Sequence, residues 1–318
     1  MNLFKKLLSL FFRREICTES HDTFRIFGCR IAILKREIKE KRAELSQFYH
    51  SFSSPMEIPA AEGNLRLIQR ASAKFLNRFD RFCKENSITY FLDCGALLGS
   101  VRHGGFIPWD DDIDIGMMRQ EYDKLYALCK SGAGKEHGFE LVFESNRRNK
   151  CLPKIQSVES KNIFIDIFPY DYHFEKIESL SKKLAFSRKL NRVRKIRSLF
   201  PVYDTDKLRE RLKYVTEKYL LNGRRRRENE EVSLFLSIDF PHKWKNKVYD
   251  WDMIFPLSEI IFEGMSFPAP NKPAAILANI YGDYMKIPHD SYPRHVDYIN
   301  IGDREKDYLT KLADSSSE

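Results

Sequence analysis

The stretch from Tyr90 to Met117 reads YFLDCGALLGSVRHGGFIPWDDDIDIGM. Near its end, Asp112, Ile113, Asp114 and Ile115 alternate carboxylate and apolar side chains. Successive side chains of a strand point to opposite faces, so Asp112 and Asp114 project together while Ile113 and Ile115 enter a core. Two carboxylates held side by side repel each other. A cation must lie between them or one must hold a proton. Mg²⁺ is the ordinary hard cation for oxygen donors, with Mn²⁺ as its substitute. Asp110 shares the parity of Asp112 and Asp114, but it follows Pro108 and Trp109 and is expected on the bend, as a supporting group behind the ligands. Asp111 faces the other way.

Working upstream, Gly99 and Ser100 precede Asp112 by a fixed gap. A Gly-Ser pair opening a helix lets backbone N–H groups approach a phosphate closely. Arg102 and His103 follow, where cations could meet the same phosphate, and Gly104 and Gly105 permit the sharp turn back to the aspartates. Downstream, Asp166 sits inside the apolar run Phe164-Ile-Asp-Ile-Phe168. An acid there is costly unless paired or metal-bound, which makes it the natural third carboxylate. Three such groups could hold two divalent ions roughly 3.5–4 Å apart. A lone Asp-x-Asp is common, a lone Gly-Ser weaker still, and Asp166 alone could be a structural acid paired to an arginine. The order in which the three occur carries the argument.

Around this stretch, Leu65, Ile68, Ala71, Phe75, Phe79 and Phe82 recur at steps of three or four, predicting an amphipathic helix with Asn64 as its cap and an end near Asn86. Short buried strands are expected at 90–92, 139–143 and 162–168, helices at 119–129 and 206–221, a hairpin about Glu263-Gly264, and a helix opened by Asn271-Lys-Pro273 and stopped by Gly282. The mixture predicts an α+β core, a mixed sheet flanked by helices. Residues 1–62 read as a helical accessory region, with Ile26–Phe48 as one charged helix and 51–63 as a linker. The main domain would span 63–300, with a basic helical insertion at about 174–250, and 301–318 would be a polar tail.

Length and composition set the bounds. The 318 residues suffice for a full core, and 42% hydrophobic with 13% aromatic content describes a folded chain. Net charge is +9. A basic surface suits nucleotides, phosphoglycans, anionic lipid or nucleic acid without choosing among them. The six cysteines form no C-x-x-C pair and no zinc pattern, and read as reduced cytosolic thiols. Residues 1–14 have too short an apolar run for a signal peptide. They fit a basic amphipathic helix on an anionic membrane surface, at the inner face of the cytoplasmic membrane, or an ordinary first helix. Residues 182–197, with eight Lys or Arg and no acid, and Arg224–Arg227 are either a docking surface for an anionic acceptor or membrane, or a solvated basic face.

The Gly-Ser…Asp-x-Asp pattern resembles the polymerase-β-like nucleotidyltransferase superfamily. The fuller wording of residues 95–116 resembles the LicD family, which includes fukutin and fukutin-related protein. Phe164–Asp171 is similar to that family's downstream acidic strand, and Tyr281-Gly-Asp-Tyr-Met-Lys-Ile-Pro288 to its C-terminal signature. The resemblance implies a nucleotidyltransferase-fold core and transfer of phosphocholine, or a related phospho-group, from a CDP-linked donor (CDP-choline favoured) to a glycan or glycolipid acceptor. It implies Asp112, Asp114 and Asp166 as catalytic, Mg²⁺-binding carboxylates, and Gly99 and Ser100 at the donor phosphate with Arg102 and His103 nearby. A quaternary ammonium favours aromatic faces, and Trp109, Tyr170, Tyr281 and Tyr284 flank the motifs as choline or acceptor contacts; each is otherwise an ordinary core aromatic. Two other readings stay open: a nucleotidyltransferase acting on RNA or another nucleotide acceptor, and a non-catalytic scaffold of surface-polysaccharide assembly. No nucleic-acid-binding module is visible, so nucleic acid is not the favoured partner.

Overall fold

The computed structural model describes residues 12–17, 21–26, 29–34, 36–144, 152–174, 205–219, 232–236, 248–288 and 301–315, with a few positions between 185 and 192. Three strands come first, β1 (Phe12–Cys17), β2 (His21–Ile26) and β3 (Cys29–Leu34), paired antiparallel in a sheet of their own. Helix α1 (Arg36–His50) follows. The first 62 residues are therefore not helical throughout. Ile31 and Ile33 alternate at a strand period, and only the charged run after them is helical. Of the surface helix expected over 1–14, residues 1–11 lie outside the described residues and Phe12 opens β1.

Helix α2 (Gly63–Glu85) buries the expected stripe, including Phe75, Phe79 and Phe82. Its N-cap position is Glu62 rather than Asn64. It ends at Asn86, whose side-chain amide donates to Phe82 O at 2.9 Å. The chain continues through β4 (Phe91–Leu92), α3 (Cys94–His103), β5 (Ile113–Met118), α4 (Arg119–Lys130), β6 (Phe139–Glu144), β7 (Leu152–Ser157) and β8 (Phe164–His173). Then come α5 (Thr205–Tyr219), β9 (Ser233–Leu236), β10 (Val248–Asp250), β11 (Ser258–Phe262), β12 (Met265–Ala269), α6 (Pro273–Tyr281) and α7 (Asp303–Ala313).

The central seven-stranded sheet runs β10-β9-β8-β5-β4, with β7 also on β8 and β6 on β7. β8 is long enough to pair β7 along its first residues and β9 along its last. The β5–β8 pair is parallel; the other pairs are antiparallel. Ile113, Ile115, Ile165 and Ile167 are buried in one cluster with the phenylalanines of α2. Phe139 packs edge-on to Phe75, Phe79 and Phe82. Burying each such side chain is worth about 1.5–3 kcal/mol. The α+β expectation of a mixed sheet flanked by helices holds.

Two expectations fail. The segment 174–250 is not a purely helical insertion, because β9 and β10 extend the central sheet. Residues 301–318 are not simply a polar tail: Leu309, Leu312 and Ala313 of α7 are buried. Tyr308 and Ser157 share a hydroxyl–hydroxyl bond of 2.8 Å, and Arg70 of α2 pairs with Asp314 at 2.7 Å. The helical spacing of a few apolar residues was hidden among charges. Most of 182–197 and Arg224–Arg227 lie outside the described residues. No helix among the described residues is long and apolar enough to cross a membrane.

Candidate active site

The parallel pairing of β5 and β8 sets Asp114 directly opposite Asp166. Asp112 lies just before β5, and carboxylate oxygens of Asp112, Asp114 and Asp166 come within 4.8 Å of one another. All three remain partly accessible while the alternating Ile113 and Ile115 are fully buried. This is the arrangement that strand parity predicts, with the third acid supplied across the sheet. A compact set of hard oxygen donors fits a divalent ion such as Mg²⁺ or Mn²⁺.

The start of α3 faces this cluster. Asp93 is extended, and Cys94 then takes φ 45°, in the left-handed region that L residues rarely adopt. The Gly95 N–H donates to Asp114 Oδ2 at 3.0 Å. A Cβ on Gly95 would lie 2.6 Å from Asp110 Oδ2, so only glycine lets the carboxylates approach the helix end. Asp93 is buried and accepts from Cys94 N at 2.8 Å and from the Tyr170 hydroxyl at 2.7 Å. The sequence reading missed both Asp93 and Gly95; an Asp two residues before a Gly and an apolar helical run was the available cap signal.

Gly99 and Ser100 do not open a helix. They lie in the second half of α3, away from its free N–H groups. Ser100 Oγ donates to Ala96 O at 2.9 Å, and a Cβ on Gly99 would meet Gly105 O at 2.3 Å. Their described role is close packing of the helix against the loop that returns to the aspartates.

Arg102 is buried, donates from Nη1 to Tyr284 O at 2.9 Å, and lies over the Trp109 ring at 5.7 Å. Its Nη2 is buried with no hydrogen-bond partner. Burial lowers its pKa to about 10, against the opposing pull of Asp110 and Tyr281, so it stays charged at neutral pH. His103 does not add a second cation. It sits at hydrogen-bond distance from Arg102, with Arg102 Nε donating to its Nε2 at 2.9 Å. Burial, then the Arg102 charge, lowers its pKa to about 4.

The four aromatics separate. Tyr170 is fully buried and bonded to Asp93, so it is a core residue and no ligand contact. Trp109 is buried, packed on Tyr49 at 4.8 Å, with Arg102 over its ring. Tyr284 is half-buried and holds Arg102 through its carbonyl. Tyr281 is exposed over part of its surface. Its hydroxyl is nevertheless pushed well above the ordinary tyrosine range, first by enclosure and then by Cys94, Asp114, Asp110 and Asp93. Of the four, Tyr281 is the one whose hydroxyl Asp114 and Asp110 act on.

Asp110 is closer to the chemistry than a bend residue. Enclosure, then the charges of Asp112, Asp114 and Asp111, push its carboxyl well above the ordinary range, and a hydrogen bond to Asp112 adds to this. These surroundings favour the protonated form of Asp110. Its loop is fixed from behind. Gln69 Nε2 donates to Asp110 O at 2.8 Å and Ile107 O at 3.3 Å. Glu263, in the β11–β12 turn, accepts two 2.8 Å bonds from Arg66 and a third at 3.1 Å from Phe106 N. On β7, Lys154 stands opposite Asp166, with Nζ 3.2 Å from Oδ1. None of Gln69, Glu263 or Lys154 was legible, because each reaches the site through a tertiary contact.

The family model described as LicD/FKTN/FKRP, nucleotidyltransferase domain, matches residues 87–206. The lipopolysaccharide cholinephosphotransferase LicD of Haemophilus influenzae is 28% identical over 73% of this chain and 96% of its own length. The human ribitol 5-phosphate transferase FKRP is 34% identical over 26% of this chain and 17% of its own length. The mouse ribitol-5-phosphate transferase FKTN is 27% identical over 34% of this chain and 22% of its own length.

Proposed function

Because the chain belongs to the LicD/fukutin family through its nucleotidyltransferase domain, we propose that it is a phosphotransferase acting on a surface glycan, with a CDP-linked donor and phosphocholine as the favoured transferred group. The observation that carries the reading is the Asp112–Asp114–Asp166 cluster built on two paired strands. The near full-length likeness to a lipopolysaccharide cholinephosphotransferase supports the choice of group.

Asp112, Asp114 and Asp166 would hold Mg²⁺, which when bound neutralises charge on the transferring phosphoryl group. In the proposed reaction an acceptor hydroxyl forms a bond to the phosphorus bearing choline, the bond from that phosphorus to the bridging oxygen breaks, and CMP departs with that oxygen. Asp166 takes the acceptor proton. Arg102 offers its buried Nη2 to a donor phosphate oxygen, and its stacking on Trp109 keeps it aimed. The N–H at Gly95 orients Asp114. Tyr281, whose hydroxyl is pushed up in part by Asp114 and Asp110, is the aromatic assigned to contact choline. Rate gain comes mainly from positioning and charge neutralisation.

A transfer assay with Mg²⁺ would compare CDP-choline, CDP-ethanolamine, CDP-glycerol and CDP-ribitol against glycan extract, with Asp112→Ala/Asp114→Ala as control. CMP release with CDP-choline, lost in the double variant, is expected. Release with another donor alone would replace choline by that group, and release with none, from folded protein, would sink the CDP-donor reading.

A further inference from the structure

Three neighbouring strands place three charged residues in one row. Asp114 on β5 stands opposite Asp166 on β8, and Asp166 stands opposite Lys154 on β7. Directly opposed residues on paired strands share a face of the sheet. The row therefore reads carboxylate, carboxylate, ammonium on the face that carries the cluster. Lys154 is not a surface lysine that swings past: its side chain is 13% exposed, its Nζ lies 3.2 Å from Asp166 Oδ1, and the same nitrogen sits 4.0 Å from the centroid of the Phe164 ring. Taking an ammonium this far out of water is costly unless a counter-charge and an aromatic face compensate. Both are present, so the position of this cation is fixed.

We propose that Lys154 is a positioning residue that competes with the divalent ion for Asp166. This rests on the reading of Asp112, Asp114 and Asp166 as the metal-holding set. A carboxylate oxygen engaged by an ammonium is a weaker donor to a second cation, and the fixed positive charge beside it repels that cation. Lys154 lowers the affinity of the bare cluster for metal and steers Asp166 to bind through its other oxygen. An anionic donor offsets that repulsion, so cation retention becomes linked to donor binding through charge alone.

The test is Mn²⁺ binding to the full chain without donor, followed by calorimetry and by the electron-spin resonance signal of free Mn²⁺. Lys154→Met keeps the length of the stem and removes the charge; Lys154→Arg keeps the charge. The Met variant is expected to bind Mn²⁺ more tightly, on the order of tenfold, and the Arg variant to stay within about twofold of the parent. A purely structural lysine would give the opposite sign, since loosening Asp166 weakens metal binding. Should the Met variant fail to melt cooperatively, Lys154→Gln, which retains a donor to Asp166 without charge, reads the same quantity. Equal or weaker Mn²⁺ binding by the folded uncharged variant overturns the role of Lys154 and leaves the transferase reading standing. A parent chain that binds no Mn²⁺ at all overturns both.

Discussion

The molecule encloses acids in two different ways. Asp80, Asp93 and Asp171 are as buried as core residues, and each meets a donor or a cation. Asp80 takes the Tyr90 hydroxyl at 2.8 Å and Lys84 at 2.6 Å; Asp171 takes Arg119 through two bonds of 3.2 and 3.1 Å. Asp112, Asp114 and Asp166 instead bring carboxylate oxygens within 4.8 Å of one another, and even with Lys154 beside Asp166 the like charges call for a further cation or a proton. The first set holds the fold together. The second set costs stability, and like charges are kept close at a site only where something other than stability requires it.

The largest test of that contrast is Asp114→Asn. Transfer is expected to fall on the order of a thousandfold or more, while the melting temperature holds or rises because like-charge repulsion is relieved. A matching collapse of stability would place Asp114 with the structural acids. Asp171→Ala should do the reverse. It removes the carboxylate paired with Arg119 in a largely buried position and is expected to cost about 3–5 kcal/mol in urea unfolding, with transfer per folded molecule near that of the parent.

Gly99→Ala lies between the two. Its Cβ would meet Gly105 O at 2.3 Å, in the loop that leads to Asp110. A cost of about 1–3 kcal/mol is expected, with a drop in transfer as the loop shifts; an unchanged melt would mean that the loop yields without strain. The smallest effect concerns acid. Burial and Arg102 hold His103 neutral down to about pH 4, against an ordinary value of 6.5. As pH falls from 6.5 towards 4, the unfolded chain takes up a proton that the folded chain refuses, so stability declines across that window and is unaffected above it. In His103→Gln, urea midpoints at pH 7.5, 6 and 5 should decline less than in the parent; parallel declines would remove His103 from the account.

Much of the site was legible because it is local. Asp112 and Asp114 follow from strand parity, and Asp166 from the cost of an acid in an apolar strand. The amphipathic spacing gave α2, and the Glu263-Gly264 pair gave the β11–β12 turn, where both residues take positive φ, 50° and 77°. Gly99 and Ser100 misled because Gly-Ser marks a helix start only when the helix begins there. Asp93 caps it six residues before Gly99. Tyr170 misled because it shares the Asp166 side of β8 but lies covered by Phe91 and Tyr249 and bonded to Asp93, a cover that adjacency in sequence to a motif does not reveal.

What the sequence by itself determined is the set of groups whose meaning depends on period alone: the paired aspartates, the buried isoleucines between them and the helix that covers them. What only the tertiary structure decided is which partners arrive from elsewhere. The parallel register of β5 and β8 brings Asp166 to Asp114, β7 brings Lys154 to Asp166, and a hairpin turn brings Glu263 to the loop before Asp110. The physical reason is one of range: side-chain period is written in the backbone geometry of a few residues, whereas register is set by how a whole sheet buries its apolar faces.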